Sequence, residues 1–240
     1  MTDLGKLAYF LGIEFVQSNE GILMHQKRYT LEVLERFNLL QCNSANTPVE
    51  ANLKLGSCEQ EAKVDSTMFR QMVGCLRFLC HIRLVISYGV GVGLVSRYMN
   101  SPRYSHLIAA KRILRYLKGT LDQGVMFPSN MRNQQNHYTL HLEAYTDSDW
   151  ASDPVDIHST MGYVFFLGQA PISWSSRKQD VVALSTCEAE YIAACYAACQ
   201  ELQVADVMTK LLRVTRFEAL KHMMKVKACE NSSTKSNAVV

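Results

Sequence analysis

The chain has little of what would place it in several large structural classes. Its 240 residues include only 12 glycines and 5 prolines, which excludes a collagen-like or low-complexity polymer. Its longest nearly uncharged run, Leu84 to Val95, is too short for a membrane span, which needs about 20 residues. No apolar signal core follows a basic start. We therefore expect an intracellular protein of the cytoplasm or nucleus, with neither a signal peptide nor a transmembrane segment.

Closely paired cysteines are also missing, although the chain contains 8 cysteines. No C-x-x-C pair is present, so free, buried and unreactive thiols are the first expectation. Cys195 and Cys199 lie one helical turn apart, and Cys187 could be imagined to join distant histidines. A zinc site is therefore a minor alternative, because structural zinc sites have tighter paired spacing.

Acidic residues are absent between Asp65 and Asp122, where the basic residues are Arg70, Arg77, Arg83, Arg97, Arg103, Lys111, Arg112, Arg115 and Lys118. The balance reverses from Leu140 to Lys210, where carboxylates far outnumber basic side chains. A basic block followed by an acidic block favours a surface that binds a polyanion beside a site that requires a cation.

The spacing of apolar residues predicts a hairpin followed by helices in the first part of the chain. A strand over Leu7–Val16, a turn at 17–21 and a return strand over 22–26 form the hairpin. The predicted helices, of which the last has Ser105 as its N-cap and precedes a strand at 123–127, cover 29–40, 66–82, 84–99 and 105–118.

A polar stretch at 128–137 marks the expected domain boundary. Strands are predicted beyond it, at 138–146, 162–168, 172–175 and 181–184. A helix should begin near Ser185, whose hydroxyl can cap it, with Glu188 in the position of a capping box. The tail after residue 228 is rich in serine, asparagine and lysine, and we expect it to be frayed.

The strand that ends at Asp147 and the helix that carries Glu190 could direct carboxylates to one divalent cation. Hard oxygen ligands suit Mg²⁺ or Mn²⁺. Glu188 and Glu190 do not share a helix face, so one of them caps the helix or lies on the surface. Composition alone favours a solvated turn pair for Asp147 and Asp149.

Several motifs follow one another over most of the chain, including Tyr9-Phe-Leu-Gly-Ile-Glu14, Ala109-Ala-Lys-Arg-Ile-Leu-Arg-Tyr-Leu-Lys-Gly-Thr120, Tyr145-Thr-Asp-Ser-Asp-Trp150, Leu184-Ser-Thr-Cys-Glu-Ala-Glu-Tyr-Ile192 and Val204-Ala-Asp-Val-Met-Thr-Lys210. In sequence and order they resemble the Pol polyprotein of copia-type LTR retrotransposons. As a set, these motifs are far more specific than any one of them.

The resemblance implies an α+β/α/β chain with two domains and a tail. Residues 1–135 would be a helical and hairpin remnant of a reverse transcriptase, from its thumb or connection region. Residues 136–227 would form an incomplete ribonuclease H-like mixed β-sheet with helices, truncated internally near 200–201, and residues 228–240 would be disordered. A ribonuclease H cuts the RNA strand of an RNA–DNA hybrid.

By family likeness, Asp147, Glu190 and Asp206 would be catalytic residues and ligands of Mg²⁺ or Mn²⁺. The basic face of helix 105–118 would contact hybrid phosphates, with Arg103, Lys111, Arg112, Arg115 and Lys118 as the binding residues. Other nucleic acid, or an intact Pol chain that supplies a missing strand, would be further partners.

Two departures from the family weaken the implied activity. The Tyr-x-Asp-Asp polymerase motif is absent, so this chain alone should not synthesise DNA. Ala198 leads almost directly to Asp206, and the family's third catalytic carboxylate belongs to the segment that is missing between them. We therefore expect weakened metal binding, impaired catalysis and an unpaired edge on strand 138–146. The alternative is a non-catalytic remnant with at most electrostatic binding to nucleic acid.

Overall fold

The computed structural model describes residues 6–201, except for 51–52, 54, 57–59, 92–93, 130–140 and 154–155. The chain divides into two compact units, residues 1–195 and 196–240. The first unit contains every described element except the C-terminal end of the last helix. The predicted boundary at 128–137 and the predicted frayed tail lie largely or wholly outside the described residues.

An antiparallel sheet near the N-terminus has the order β1-β2-β3-β4. Its strands are Tyr9–Phe10, Ile13–Gln17, Gly21–His25 and Val125–Pro128. The single strand predicted over Leu7–Val16 is wrong, because a turn at Leu11 and Gly12 divides it. Both turn residues have positive φ angles, of 48° and 79°, and leucine gives no sequence signal for that conformation. The predicted turn at 17–21 is confirmed, since Ser18 and Gly21 exchange two backbone hydrogen bonds.

Four helices, α1 to α4, lie between the third and fourth strands of this sheet along the chain. They span Lys27–Arg36, Ser66–Leu79, Ser87–Gly91 and Tyr104–Gly119, and short 3₁₀ turns lie at Leu84–Ile86 and Ser96–Tyr98. The continuous helix predicted over 84–99 is wrong. Three glycines at alternate positions, 89, 91 and 93, weaken helix formation in this stretch.

The main hydrophobic core lies among α1, α2 and α4. Each helix turns an apolar stripe inward, and the largest fully buried members include Leu34, Phe69, Met72, Leu76 and Leu114. These are the positions that the helical spacing of the sequence marks as one face. The buried face of α4 is therefore mostly apolar, as predicted, while its basic residues lie on the rest of the helix surface.

A second antiparallel sheet has the order β5-β6-β7, with strands Leu142–Asp149, Thr160–Leu167 and Ala170–Lys178. Helix α5, Thr186–Glu201, follows it. The strand predicted at 181–184 is wrong, because these residues connect β7 to α5 without pairing. Among the described residues β5 pairs only with β6. The mixed sheet that the resemblance implies stays a prediction.

All 6 cysteines that the structure describes are free. Cys75 is buried, and burial raises the pKa of the Cys80 thiol to about 12, which keeps it protonated. The prediction of buried thiols is nevertheless wrong for Cys187, Cys195 and Cys199, which are exposed on α5.

No helix within the described ranges is both long and apolar enough to cross a membrane.

His106 is fully buried near the start of α4 and forms two hydrogen bonds. Its Nδ1 accepts the backbone N–H of Arg103 at 3.0 Å, so Nε2 carries the proton and donates to the carbonyl of Gly56 at 2.9 Å. The imidazole also stacks on Tyr98 with 3.7 Å between ring centroids. This arrangement fits the neutral ring, and burial lowers the pKa of His106 below its ordinary value.

Stability should therefore fall in mildly acidic solution. The unfolded chain takes up a proton near the ordinary histidine pKa of about 6.5, whereas the folded chain resists it until a lower pH. Unfolding in urea at pH 7.5 and 5.5 should show lower stability at pH 5.5, and His106→Gln should remove most of this difference. The exposed His81→Gln is the control and should keep it. An unchanged pH dependence in His106→Gln would contradict the assignment.

Candidate functional site

Asp147 and Asp149 lie near the C-terminal end of β5 and point to the same side of the sheet, since side chains alternate along a strand. Both are exposed. They line a cavity of about 400 Å³ between the sheet and α3, together with Tyr88, Tyr145 and Trp174. The structure therefore places two carboxylates beside three aromatic side chains.

Tyr88, on α3, lines the same cavity as Asp147 and Asp149. Burial raises the pKa of its hydroxyl above the ordinary value, and the negative charge of Asp149 raises it further. Trp174 on β7 closes another side, with its indole N–H donating to the carbonyl of Cys80 at 2.9 Å. Neither aromatic residue was assigned to the site from the sequence, because the contact brings together elements that are far apart along the chain.

The structure separates the roles of the two glutamates on α5. Glu188 accepts the backbone N–H of Leu184 at 2.7 Å, and its own N–H donates to the Ser185 hydroxyl at 3.1 Å. This is a helix cap, as predicted for Ser185 and Glu188. Glu190 instead accepts the backbone N–H of Ser148 at 3.2 Å. The carboxylate of Glu190 therefore lies beside the strand segment that carries Asp147.

Gln179 is the residue that sequence reasoning missed. Its side chain is buried, and its amide N–H₂ donates to the Ser148 hydroxyl at 3.2 Å and to the Ala189 carbonyl at 2.8 Å. Ser148 follows Asp147, and Ala189 precedes Glu190. One amide thus ties β5 to α5 at the two positions adjacent to the predicted ligands. A polar residue just after a strand gives no periodic signal for such a role.

Further ligands for the site are few in the described part of the chain. Asp206 lies outside the described residues, so the structure does not place it. Two further acids, Asp156 and Asp180, form ion pairs with Lys178 and Arg177, respectively. Within the described ranges, no group of three or more histidine, cysteine, aspartate or glutamate side chains is placed to hold a metal ion.

The basic residues assigned to nucleic acid lie on and just before α4, and most of them bond to other parts of the chain. Arg112 pairs with Glu50 at 2.6 Å, Arg115 donates to the carbonyl of Asn43 at 2.7 Å, and Lys118 donates to the carbonyl of Cys42. Arg103 donates to the carbonyl of Glu61 at 3.0 Å. These contacts attach the loop between α1 and α2 to α4.

Lys111 differs from the other four, since it forms no hydrogen bond or ion pair with the described residues. It is half-buried on the same helix. Contact of these basic residues with phosphates stays a prediction. In the structure, four of the five also bond to the loop between α1 and α2.

Comparisons with known proteins relate the chain to mobile genetic elements. The family described as reverse transcriptase (RNA-dependent DNA polymerase) matches residues 1–51. Two retrovirus-related Pol polyproteins of Arabidopsis thaliana, from transposons RE1 and RE2, are 39% and 40% identical over 89% and 85% of the chain. An uncharacterized mitochondrial protein of the same plant is 36% identical over 83% of the chain and 79% of its own length.

The chain spans only 14% of the length of each of the two Pol polyproteins. No solved structure matches it.

Proposed function

Because the chain belongs to the family of copia-type retrotransposon Pol polyproteins, we propose that residues 142–201 belong to a ribonuclease H-like module with an incomplete divalent-metal site. The observation that supports this proposal best is the hydrogen bond between Glu190 and the backbone of Ser148. It brings a helix carboxylate to the end of the strand that bears Asp147, which is the arrangement that the sequence motifs imply.

The donor chemistry of this site fits a hard cation in part. Asp147, Asp149 and Glu190 supply only carboxylate oxygens, which Mg²⁺ and Mn²⁺ prefer. When bound, such an ion would activate water for attack on a phosphodiester and stabilise the leaving oxygen. Asp206 would be a further ligand from the part of the chain that the structure does not describe. A site with so few carboxylates should bind its ion weakly.

Each described residue has a distinct task in this proposal. Asp147 would hold the ion from β5, and Glu190 would hold it from the first turns of α5. Gln179 would keep the strand and the helix at a fixed separation through its two hydrogen bonds. Lys111, with the outer surfaces of Arg112 and Arg115, would attract the phosphates of an RNA–DNA hybrid in a salt-dependent way.

Metal binding should depend on Asp147 and Glu190 but not on Glu188. We expect Asp147→Asn and Glu190→Gln each to weaken Mn²⁺ binding about tenfold or more, because each removes one charged ligand. Titration of the full chain, followed by the electron paramagnetic resonance signal of free Mn²⁺, measures this. Glu188→Gln is the matched control, since its carboxylate caps the helix instead. Equal weakening by Glu188→Gln would contradict the proposed ligand set.

Cleavage of a labelled RNA–DNA hybrid with Mg²⁺ separates the proposal from its alternative. We expect no significant turnover by this chain alone, because the segment with the third carboxylate is missing from the sequence. Mn²⁺ binding without cleavage would support an impaired module. Neither metal binding nor cleavage would favour a non-catalytic remnant. Robust cleavage that is lost in Asp147→Asn would overturn the expected impairment and imply a complete site.

A further inference from the structure

The hydrogen bonds of β5 show which of its backbone groups point toward β6 and which point away from it. The backbone N–H of Gly168 donates to the carbonyl of His141 at 2.8 Å, so odd-numbered residues bond toward β6. The N–H of Ser148, an even-numbered residue, turns away from β6 to Glu190. The register between β5 and β6 is continuous. In an antiparallel pair, even-numbered residues of β5 therefore direct both N–H and C=O to the open side.

Three amides on this edge are available for pairing. Glu190 already accepts the N–H of Ser148. The N–H groups of Leu142, Ala144 and Thr146 have no partner among the residues that the structure describes. With the carbonyls of the same residues, they form the ladder that an added strand would use.

The side chains of β5 define the chemistry of such a strand. One side carries Glu143, Asp147 and Asp149, and the other carries small or apolar residues. The neighbouring strand β6 contains no basic residue that could neutralise these carboxylates. A second copy of the chain would place its own carboxylates against them, which is unfavourable. Charge complementarity therefore favours a strand that alternates basic residues with small apolar ones.

We propose that the open edge of β5 binds an extended segment of another protein in which lysine or arginine alternates with small apolar residues. The segment joins the sheet as a fourth strand through Leu142, Ala144 and Thr146. Its basic side chains lie opposite Glu143 and Asp147, and its apolar side chains extend the side on which Ser148 meets Gln179. This interaction shares Asp147 with the proposed metal site but needs neither a metal ion nor catalysis, so peptide binding in metal-free solution tests it separately.

A labelled nine-residue peptide in which lysine and valine alternate tests this proposal on the full chain by fluorescence anisotropy. We expect it to bind at least about tenfold more tightly than a peptide of the same composition with its lysines and valines in two blocks, because only alternation matches both sides of β5. Binding should protect the amides of Ala144 and Thr146 from hydrogen exchange. Equal binding of the two peptides would overturn the proposal, since it would indicate diffuse charge attraction alone.

Ala144→Pro is the decisive variant. It removes an N–H that points to the open edge and no hydrogen bond to β6, and proline is tolerated on edge strands. Peptide binding should fall at least about tenfold, whereas Ala144→Val, which keeps the N–H, should bind normally. Because a variant can fail to fold, a peptide N-methylated at alternate residues provides the same test on the unaltered chain. Unchanged binding of the methylated peptide would overturn strand pairing.

Two other results would also overturn it. Protection of the Ala144 and Thr146 amides in the free chain would mean that another segment of the same chain covers the edge. Dimerisation without peptide that is lost in Ala144→Pro would mean that a second copy occupies it, despite the like charges.

Discussion

Replacing Asp153 with asparagine is expected to lower the free energy of unfolding by about 2–4 kcal/mol. The side chain of Asp153 is only 5% exposed, and its Oδ2 lies 2.7 Å from Nζ of Lys178. The same oxygen also accepts a hydrogen bond from the guanidinium of Arg97. Two partly buried cations thus share one buried carboxylate. Asparagine keeps the size of the side chain but leaves both cations without this charge.

Asp156→Asn is the matched control for Asp153→Asn. Asp156 also pairs with Lys178, but its side chain is 44% exposed. A pair of this kind is worth about 1 kcal/mol or less, because water screens it and hydrates the remaining cation. Urea unfolding at neutral pH should therefore separate the two variants. Equal losses would contradict the view that burial decides the contribution of each carboxylate.

The Asp153 carboxylate also affects the candidate site. Asp153 lies in the loop that leaves β5, four residues after Asp149, and its partners are in the 3₁₀ turn Ser96–Tyr98 and at the end of β7. The cluster therefore holds the acidic end of β5 in place from two sides. Loss of stability in Asp153→Asn should be accompanied by weaker Mn²⁺ binding, even though Asp153 itself is not a proposed ligand.

Arg83→Met should destabilise the chain by a similar amount, about 2–4 kcal/mol. Arg83 is 4% exposed, and its guanidinium donates to the carbonyls of Thr120 at 2.7 Å and Gln123 at 3.1 Å. It thereby connects the chain after α2 to the end of α4. Burial lowers the pKa of Arg83, although a guanidinium stays charged at neutral pH. Methionine fills the space of the stem but removes the guanidinium donor from both carbonyls, and the Thr120 carbonyl keeps only the backbone N–H of Gln123 at 3.1 Å.

The exposed Arg77→Met provides the comparison, because it removes an equal charge from the end of α2. We expect a change within about 0.5 kcal/mol for this variant. Thermal or urea unfolding of both variants measures the difference. A loss below about 1 kcal/mol in Arg83→Met would mean that water replaces the guanidinium at the two carbonyls.

Local patterns in the sequence predicted several elements well. Helices α2 and α4 follow from apolar residues at helical spacing, and Ser185 with Glu188 identifies the start of α5. The turn at 17–21 also follows from its own residues. The N-cap predicted at Ser105 is wrong, because Tyr104 already belongs to α4 and Arg103 precedes it. At this end of α4, the backbone N–H of Arg103 donates to Nδ1 of His106 and caps the helix.

In the candidate site, too, motifs predict residues whose individual roles only the tertiary contacts distinguish. The sequence proposed Asp147 and Glu190 from motifs, and it left Glu188 as an alternative to Glu190. Only the packing of α5 against β5 assigns capping to Glu188 and contact with the strand to Glu190. The basic face of α4 was read as a surface for phosphates. The structure gives Arg112, Arg115 and Lys118 carbonyl and carboxylate partners in a loop that is distant along the chain.

The sequence by itself determined the family of this protein and most of its helices, and its motifs predict the residues of a metal site. These depend on motifs and on periodicity within one turn or strand, where neighbouring residues carry the information. Tertiary structure alone decided that Gln179 ties β5 to α5, that Asp153 holds two cations, and that β5 directs three amides to an edge without a partner strand among the described residues. The physical reason is that buried hydrogen bonds and strand pairing depend on which distant groups meet, and hydrophobic spacing does not encode those partners.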